Sequence, residues 1–146
     1  MFNDQIKFID SIDGMLNNAL ETVINQNSDG LKSLLVDIQM YEKGQDGTGK
    51  KLRPYSRYTI RYKISKGQPK DRTTLRDSGD FHASIQVTAY KDFYEVSSNV
   101  PHDTILTNSK NYGKNILRIN PDDFINFIQE YFITELKRNV NDRLTE

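Results

Sequence analysis

The sequence predicts an α+β fold, with long N- and C-terminal helices packed on a small antiparallel β-sheet. Apolar residues recur every three or four positions near both ends of the chain, and apolar and polar residues alternate over residues 81–90. A long basic segment of loop and short helix, residues 50–76, lies between these patterns. No Gly/Ser/Pro-rich linker divides the 146 residues, so we expect a single domain over residues 1–146.

The N-terminal helix is predicted over residues 4–25, because its apolar residues share one stripe of a helix. These residues are Ile6, Ile9, Ile12, Leu16, Ala19, Leu20 and Val23. A second helix is predicted to follow, capped by Ser28 or Asp29 and continuing to Ile38. The alternative for its second half is a strand over residues 34–40.

Three glycines within residues 44–49 predict a loop, since glycine makes a regular element costly. A short helix is then predicted through residue 64, with Ser56 as its N-cap and residues 66–69 closing it.

The sheet is predicted to begin at Phe81, two residues after Gly79. The backbone of Gly79 should need either φ > 0 or a close neighbour. The residues predicted to point inward are Phe81, Ala83, Ile85, Val87 and Ala89. Those predicted to point outward are His82, Ser84, Gln86, Thr88 and Tyr90. A hairpin turn at Lys91 and Asp92 should lead into an antiparallel strand over residues 93–97.

Residues 99–115 are polar and predict a long surface loop. Asn120 and Pro121 then predict a helix start, because Asn is a good N-cap and Pro suits the first helical position. The predicted apolar stripe of this helix is Phe124, Phe127, Ile128, Tyr131, Phe132, Leu136 and Val140. The central core is predicted to consist of Phe81, Ile85, Val87, Phe124, Phe127, Ile128 and Phe132.

We find no convincing catalytic or cofactor-binding pattern and expect no enzyme. Gly44, Gly49 and Lys50 have P-loop spacing, but Lys51 replaces the Ser or Thr of that motif and Pro54 would break its helix. The same loop lacks a calcium-binding pattern, because a cation occupies its third ligand position. A plain glycine loop is therefore the favoured interpretation.

Three further groups of residues give only weak evidence for a catalytic or metal site. A hydrolase set of Ser84, His102 and Asp103 would place its nucleophile in mid-strand rather than on a strained turn. Asp77, Asp80 and Asp103 could form a carboxylate cluster, but Asp beside Gly more often caps a turn. Both histidines, His82 and His102, are expected at the surface, without metal-ligand spacing.

Two compositional absences bound the class of protein. Without cysteine the chain can form no disulfide and no thiolate metal site. No apolar run approaches the roughly 18 residues that span a bilayer, and the N-terminus lacks a signal-peptide pattern. We therefore expect a soluble protein with no membrane partner.

The basic segment carries the clearest functional signal. Residues 50–76 contain ten of the twenty basic residues and one acid, Asp71, so the segment has a charge of +9 and the rest of the chain −9. Tyr55, Tyr58 and Tyr62 are interleaved with these cations. The pattern fits contact with an acidic protein, including a second copy of this chain, or with nucleic acid, or a solvated face. The interface residues that we single out are Lys50, Lys51, Arg53, Arg57, Arg61, Lys63, Arg72 and Arg76.

Two short motifs overlap the two ends of this segment. The first consists of Gly44, Asp46, Gly47, Gly49, Leu52, Pro54, Tyr55, Ser56, Thr59 and Lys63. The second consists of Leu75, Asp77, Ser78, Gly79, Asp80, Phe81, Ser84 and Ile85. Together they resemble the virion-morphogenesis and tail-completion proteins of tailed bacteriophages. This chain departs from the family pattern at Leu52, where tryptophan is common, and at Ser78, where threonine is usual.

The resemblance implies a structural protein of the head–tail junction, or neck, of a virion, made in the cytoplasm of the host bacterium. It implies a homo-oligomeric ring, with portal, adaptor or tail proteins as neighbours, contact with packaged DNA, no cofactor and no catalysis. The motif residues that it singles out are Pro54, Ser56, Lys63, Ser78, Gly79, Phe81 and Ser84. The alternative is a nucleic-acid-binding module that uses residues 50–76.

Overall fold

The computed structural model describes residue 14 and residues 16–91, 93–100 and 103–145. Helix α1 covers residues 16–26, followed by α2 (Ser28–Ser33), a π-helix (Leu34–Glu42), α3 (Arg57–Ser65) and α4 (Asp80–Ser84). The chain continues with β1 (Gln86–Ala89), β2 (Tyr94–Ser97), α5 (Asp103–Leu106), a 3₁₀ helix (Lys114–Leu117) and α6 (Pro121–Leu144). The α+β class is confirmed, with a long C-terminal helix and a two-stranded antiparallel sheet.

The N-terminal helices supply much of the core. Residues 16–26 are helical as predicted, whereas Ile6, Ile9 and Ile12 lie outside the described residues. The predicted cap at Ser28 or Asp29 is wrong, because α2 begins at Ser28 after a break of one residue. The strand alternative over residues 34–40 is also wrong, since α2 continues directly into the π-helix. The buried apolar residues of these elements are Ala19, Val23, Ile24, Leu31, Leu35, Val36 and Met40.

The glycine loop is confirmed and is closed around one carboxylate. The Oδ1 atom of buried Asp46 accepts hydrogen bonds from the Thr48 amide (2.9 Å), the Thr48 hydroxyl (2.6 Å) and the Lys50 amide (3.1 Å). No helix begins directly after Lys50, so the chain lacks the helix start that a P-loop needs. The loop also contacts the C-terminal part of the chain, because the Gly47 amide donates to the Asn115 carbonyl at 2.9 Å.

The sheet is a hairpin in which β1 and β2 pair from Gln86 with Ser97 to Ala89 with Tyr94. The predicted strand start at Phe81 is wrong, because residues 80–84 form α4. Phe81 and Ile85 are both buried, and a spacing of four residues fits one face of a helix as well as it fits a strand. Ala83 is accordingly exposed and His82 buried, the reverse of the predicted alternation.

Helix α6 begins as predicted. The Asn120 side chain accepts from the amides of Asp122 (3.0 Å) and Asp123 (3.4 Å), and Pro121 is the first helical residue. The predicted loop over residues 99–115 instead contains α5 and the start of the 3₁₀ helix. The apolar residues that follow this region, Ile116 and Ile119, are fully buried.

The predicted core is partly confirmed. Phe81, Ile85, Val87 and Ile128 are buried, whereas Phe124, Phe127 and Phe132 are partly buried and pack at its edge. Helix α6 contacts the sheet through stacked rings of Phe124 and Tyr94, whose centroids are 4.7 Å apart. Within the described ranges, no helix has both the length and the apolar composition needed to cross a membrane.

Candidate interaction site around helix α3

The two motif segments fold against each other around α3. The Ser56 hydroxyl accepts the Thr59 amide at 3.1 Å and so caps the helix as predicted. Directly before it, the Tyr55 hydroxyl accepts the Thr74 amide at 2.9 Å and lies 3.1 Å from the Thr74 hydroxyl. Pro54 is exposed in the extended stretch before α3. These motif residues build the framework of the site.

Lys63 is a structural residue, which corrects its expected place among the interface cations. Its side chain is buried, and its Nζ donates to the Gln68 side chain at 2.7 Å and to the Arg76 carbonyl. The Tyr55 ring lies below it, 5.5 Å from Nζ to the ring centroid. Lys63 therefore ties the end of the basic segment to α3 and offers no charge to a partner.

Arg72 and Arg76 are also engaged within the chain. Arg72 donates from Nε to the Tyr41 carbonyl (2.7 Å) and from Nη1 to Asp71 (2.8 Å). The guanidinium carbons of Arg72 and Arg76 lie 5.8 and 5.3 Å from the centroid of the Tyr41 ring. The ring face and Asp71 partly compensate these two charges.

The turn before α4 depends on two left-handed residues. Leu75 has φ +53° and Gly79 has φ +99°, and Gly79 is the N-cap of α4. The Ser78 hydroxyl donates to the Asp80 carboxylate at 2.8 Å. The nearest atom to a Cβ built on Gly79 would be Arg76 Nε at 3.8 Å. The glycine is therefore required by its positive φ, one of the two predicted reasons, and not by crowding.

We expect Gly79→Val to destabilise the fold, because a β-branched residue at positive φ is strained. The left-handed region costs an L-residue about 1–2 kcal/mol, and we expect a loss of at least that size in urea unfolding. Gly79→Asn is the matched control, since Asn tolerates this region and should lose less. A Gly79→Val protein that unfolds at the wild-type urea concentration would contradict the assignment.

A cleft of ≈ 470 Å³ lies between α3, the turn at residues 75–81 and α5. Its apolar lining comes from Leu75, Phe81, Ile105, Leu106 and Tyr112. Burial raises the pKa of the Tyr112 phenol above its ordinary value. Charged residues, among them Arg76, Asp77 and Asp80, complete the lining of the cleft.

The constellations considered for catalysis do not assemble among the described atoms. Asp77 and Asp80 line the cleft, but Asp77 lies 3.8 Å from the Lys66 ammonium and Asp80 binds Ser78. The Ser84 hydroxyl donates to the Phe81 carbonyl at 2.8 Å and lies 2.7 Å from the Ser98 hydroxyl. His102 and the side chain of Asp103 lie outside the described part. No group of three His, Asp or Glu among the described residues could hold a metal ion.

His82 is buried rather than at the surface, which corrects the sequence expectation. Its Nε2 donates to the Thr74 carbonyl at 2.9 Å. Burial lowers the pKa of the imidazole, and the nearby Arg76 and Lys63 charges lower it further, against raising effects from Thr74 and Asp37. The folded chain therefore holds this histidine neutral to a lower pH than the unfolded chain does.

We expect the free energy of unfolding to fall as the pH is lowered below about 6.5, the ordinary pKa of histidine. Between that pH and the lowered folded pKa, the unfolded state binds the additional proton, so acid favours unfolding. Urea unfolding at pH 7.0 and at about pH 5.5 measures the difference. His82→Gln should reduce this pH dependence and His102→Gln should keep it; equal pH dependence in both variants would contradict the assignment.

The outer face of α3 presents cations and an aromatic ring to the solvent, as the basic segment predicts. Arg57, Tyr58, Arg61 and Ile64 are exposed, and Tyr58 reaches 82% exposure. The two arginines are four residues apart, so they lie on the same side of the helix. Neither guanidinium has a hydrogen bond, ion pair or ring contact among the described residues. We call these four residues the α3 outer face.

The other cations of the segment divide into two groups. Lys51, Arg53 and Lys66 have contacts within the chain, to the Lys43 carbonyl, the Tyr112 ring and Asp77 respectively. Lys50 and Lys70 are exposed, and their side chains have no partner in the described ranges. Including Arg57 and Arg61, four of the ten cations are thus unpartnered there.

Sequence reasoning assigned two tyrosines the wrong role and overlooked a third. Tyr55 was expected to be an aromatic platform for a ligand, but its hydroxyl is bound to Thr74. The Tyr62 hydroxyl donates to Asp77 at 3.4 Å, and its ring faces Lys66. Tyr41, which accommodates two arginines, lies outside the basic segment and gave no signal in the sequence. Tyr58 is the most exposed of the three interleaved tyrosines, at 82% against 37% for Tyr62.

Comparisons of this chain with protein-family models, with curated proteins and with solved structures found no match.

Proposed function

We propose that this chain is a structural virion protein of a tailed bacteriophage. It forms part of a ring at the head–tail junction, as a neck, connector or tail-completion component, and it acts without catalysis. Its neighbours are further copies of itself and portal, adaptor or tail proteins, with packaged DNA close by. The α3 outer face is its assembly contact.

The observation that carries the proposal is the unpartnered pair Arg57 and Arg61 beside the 82% exposed Tyr58. Tyrosine and arginine are enriched at the centres of protein interfaces, where they contribute most of the binding energy. An exposed ring of this size between two guanidinium groups gains most when a partner covers it.

The motif residues support a structural role rather than a chemical one. Ser56 caps a helix, Lys63 ties two segments together, and Gly79 permits a left-handed turn. Each of these roles supports local structure around α3 and α4, and the Ser56 hydroxyl and the Lys63 ammonium are both engaged in hydrogen bonds within the chain. Motif residues that support the fold and perform no chemistry are consistent with a protein that acts through a contact surface.

A nucleic-acid-binding module is the second candidate, favoured by the same exposed Tyr58 between two arginines. The internal engagement of the other cations weakens it. If four unpartnered cations contacted phosphates, the slope of log K against log salt would be about −4, against about −9 for all ten. High-affinity DNA binding by the monomer, with a slope near the larger value, would favour this candidate.

The double substitution Arg57→Glu with Arg61→Glu tests the proposal. We expect a folded monomer that fails to enter virions, because the charge of the contact is reversed. The matched control is Lys50→Glu with Lys70→Glu, which changes the net charge equally but leaves α3 intact. Complementation of a phage that lacks the gene, followed by mass spectrometry of purified particles, measures incorporation. Wild-type incorporation of the α3 variant would overturn the proposal.

A further inference from the structure

Helix α6 has a second apolar face that no described residue covers. Ile125 and Ile133 are 51% and 54% exposed, although other residues of the same helix pack on the core. They are eight residues apart, just over two turns, so they lie on the same side of the helix. Exposed aliphatic side chains that are rimmed by polar residues contribute to contact surfaces when a complementary partner is present.

Two acids lie close to these isoleucines along α6. Asp122 and Glu130 are exposed, and their carboxylates have no hydrogen bond or ion pair in the described part of the chain. Glu135, a third acid of α6, is buried and binds Arg138 at 2.5 Å and Asn139 at 3.2 Å. Asp122 and Glu130, in the first half of α6, are therefore free to pair with cations of a partner, whereas Glu135 is not.

This surface complements the α3 outer face in charge, in polarity and in length. The α3 outer face has two cations and two exposed apolar groups, and the α6 surface has two anions and two exposed apolar groups. Arg57 and Ile64 are about 10 Å apart along their helix, and Ile125 and Ile133 about 12 Å along theirs. Ion pairs at the edge with apolar contacts at the centre are the usual arrangement of an interface.

We propose that the α3 outer face of one copy docks on Asp122, Ile125, Glu130 and Ile133 of α6 in the next copy. The two surfaces are different, so the contact is head-to-tail and repeats from copy to copy until a ring closes. The inference rests on the proposed function, because it names the partner surface of the same α3 contact. It also gives Arg57 and Arg61, which have no partner among the described residues, acidic partners in the neighbouring copy.

Charge exchange tests the contact most specifically. Arg61→Glu alone and Glu130→Arg alone should each block assembly, because each places like charges together. The double variant with both changes restores an opposite-charge pair at every interface of the ring and should recover assembly. Arg61→Glu combined with Glu95→Arg is the matched control, because it also leaves the net charge unchanged but places the new arginine on β2; it should not recover. Failure of the exchange variant to recover, or equal recovery by the control, would overturn the inference.

Cysteine cross-linking provides a second readout, since the chain has no cysteine of its own. Purified full-length Ile64→Cys and Ile133→Cys proteins are mixed under mild oxidation. We expect roughly tenfold more mixed disulfide than for Ile64→Cys with Thr88→Cys, because docking raises the local thiol concentration. A predominant Ile133→Cys homodimer would indicate an α6–α6 contact and overturn the inference, as would a mixed yield equal to the control.

The two proposals fail in different ways. If the chain enters virions but charge exchange and cross-linking both fail, the proposed function stands and this docking geometry is wrong. If purified virions lack the chain, the proposed function fails, whatever the cross-linking yield.

Discussion

Ile85→Ala should lower the free energy of unfolding by about 2–5 kcal/mol, the range for deleting a buried aliphatic side chain. Ile85 is 0% exposed and lies between α4 and β1, inside the cluster formed by both ends of the chain. Truncation removes apolar contacts and leaves a cavity that close-packed neighbours fill only in part.

Urea unfolding of the purified variant measures this effect, provided that the m-value is unchanged. Ile105→Ala is the matched control, because it removes the same atoms from a side chain that is largely exposed. We expect the control to change the stability by less than about 1 kcal/mol. A similarly small effect at Ile85 would show that its place in the core is wrong.

Gly47→Ala should be the most damaging change in the glycine loop. A Cβ at this position would lie 2.2 Å from the Arg118 carbonyl oxygen and 2.7 Å from its carbonyl carbon. Backbone atoms cannot rotate away as a side chain can, so the loop would have to move away from residue 118. This movement would strain the hydrogen bond from the Gly47 amide to the Asn115 carbonyl. We expect a loss of about 3 kcal/mol or more, at the upper end for overpacking.

Gly67→Ala is the control for Gly47→Ala. Gly67 has φ +63°, but nothing lies within 4 Å of the position of its Cβ. It should cost only the backbone strain of about 1–2 kcal/mol. If Gly47→Ala were no more damaging than Gly67→Ala, the close approach between the loop and residue 118 would be incorrect.

The elements that the sequence predicted well have local signals at their ends. Asn120 and Pro121 determine the start of α6, and Ser56 determines the start of α3, through hydrogen bonds that involve only neighbouring residues. The hairpin likewise follows from two short β-prone runs separated by a turn. Local chemistry suffices for elements of this kind.

The errors in the fold predicted from the sequence have a common cause. Phe81 and Ile85 fit both a strand and a helix, and only the left-handed turn at Gly79 and the burial of His82 distinguish the two. The buried Ile116 and Ile119 follow a polar stretch, and their burial depends on contacts with the glycine loop and the π-helix region. Periodicity over a few residues cannot decide between such alternatives.

The candidate site was predicted as a segment but not as a surface. The sequence counts the cations of residues 50–76, whereas their availability depends on carbonyl groups and rings brought close by folding. Lys63 has the same charge as Arg57 but is buried, and the ring beside Arg72 belongs to Tyr41, far from it in sequence. Charge patterning therefore indicates a candidate region, and the tertiary contacts show which of its cations, Arg57 and Arg61 among them, have no partner among the described residues.

The composition of virions is the most direct test of the proposal that this chain is a component of the head–tail junction. Particles produced by the genome that encodes this chain can be purified, analysed by mass spectrometry and imaged by electron cryomicroscopy. We expect the chain to be present and to form a closed ring at the head–tail junction, with α3 of each copy at the contact with the next. Intact virions that contain no copy of the chain would contradict it.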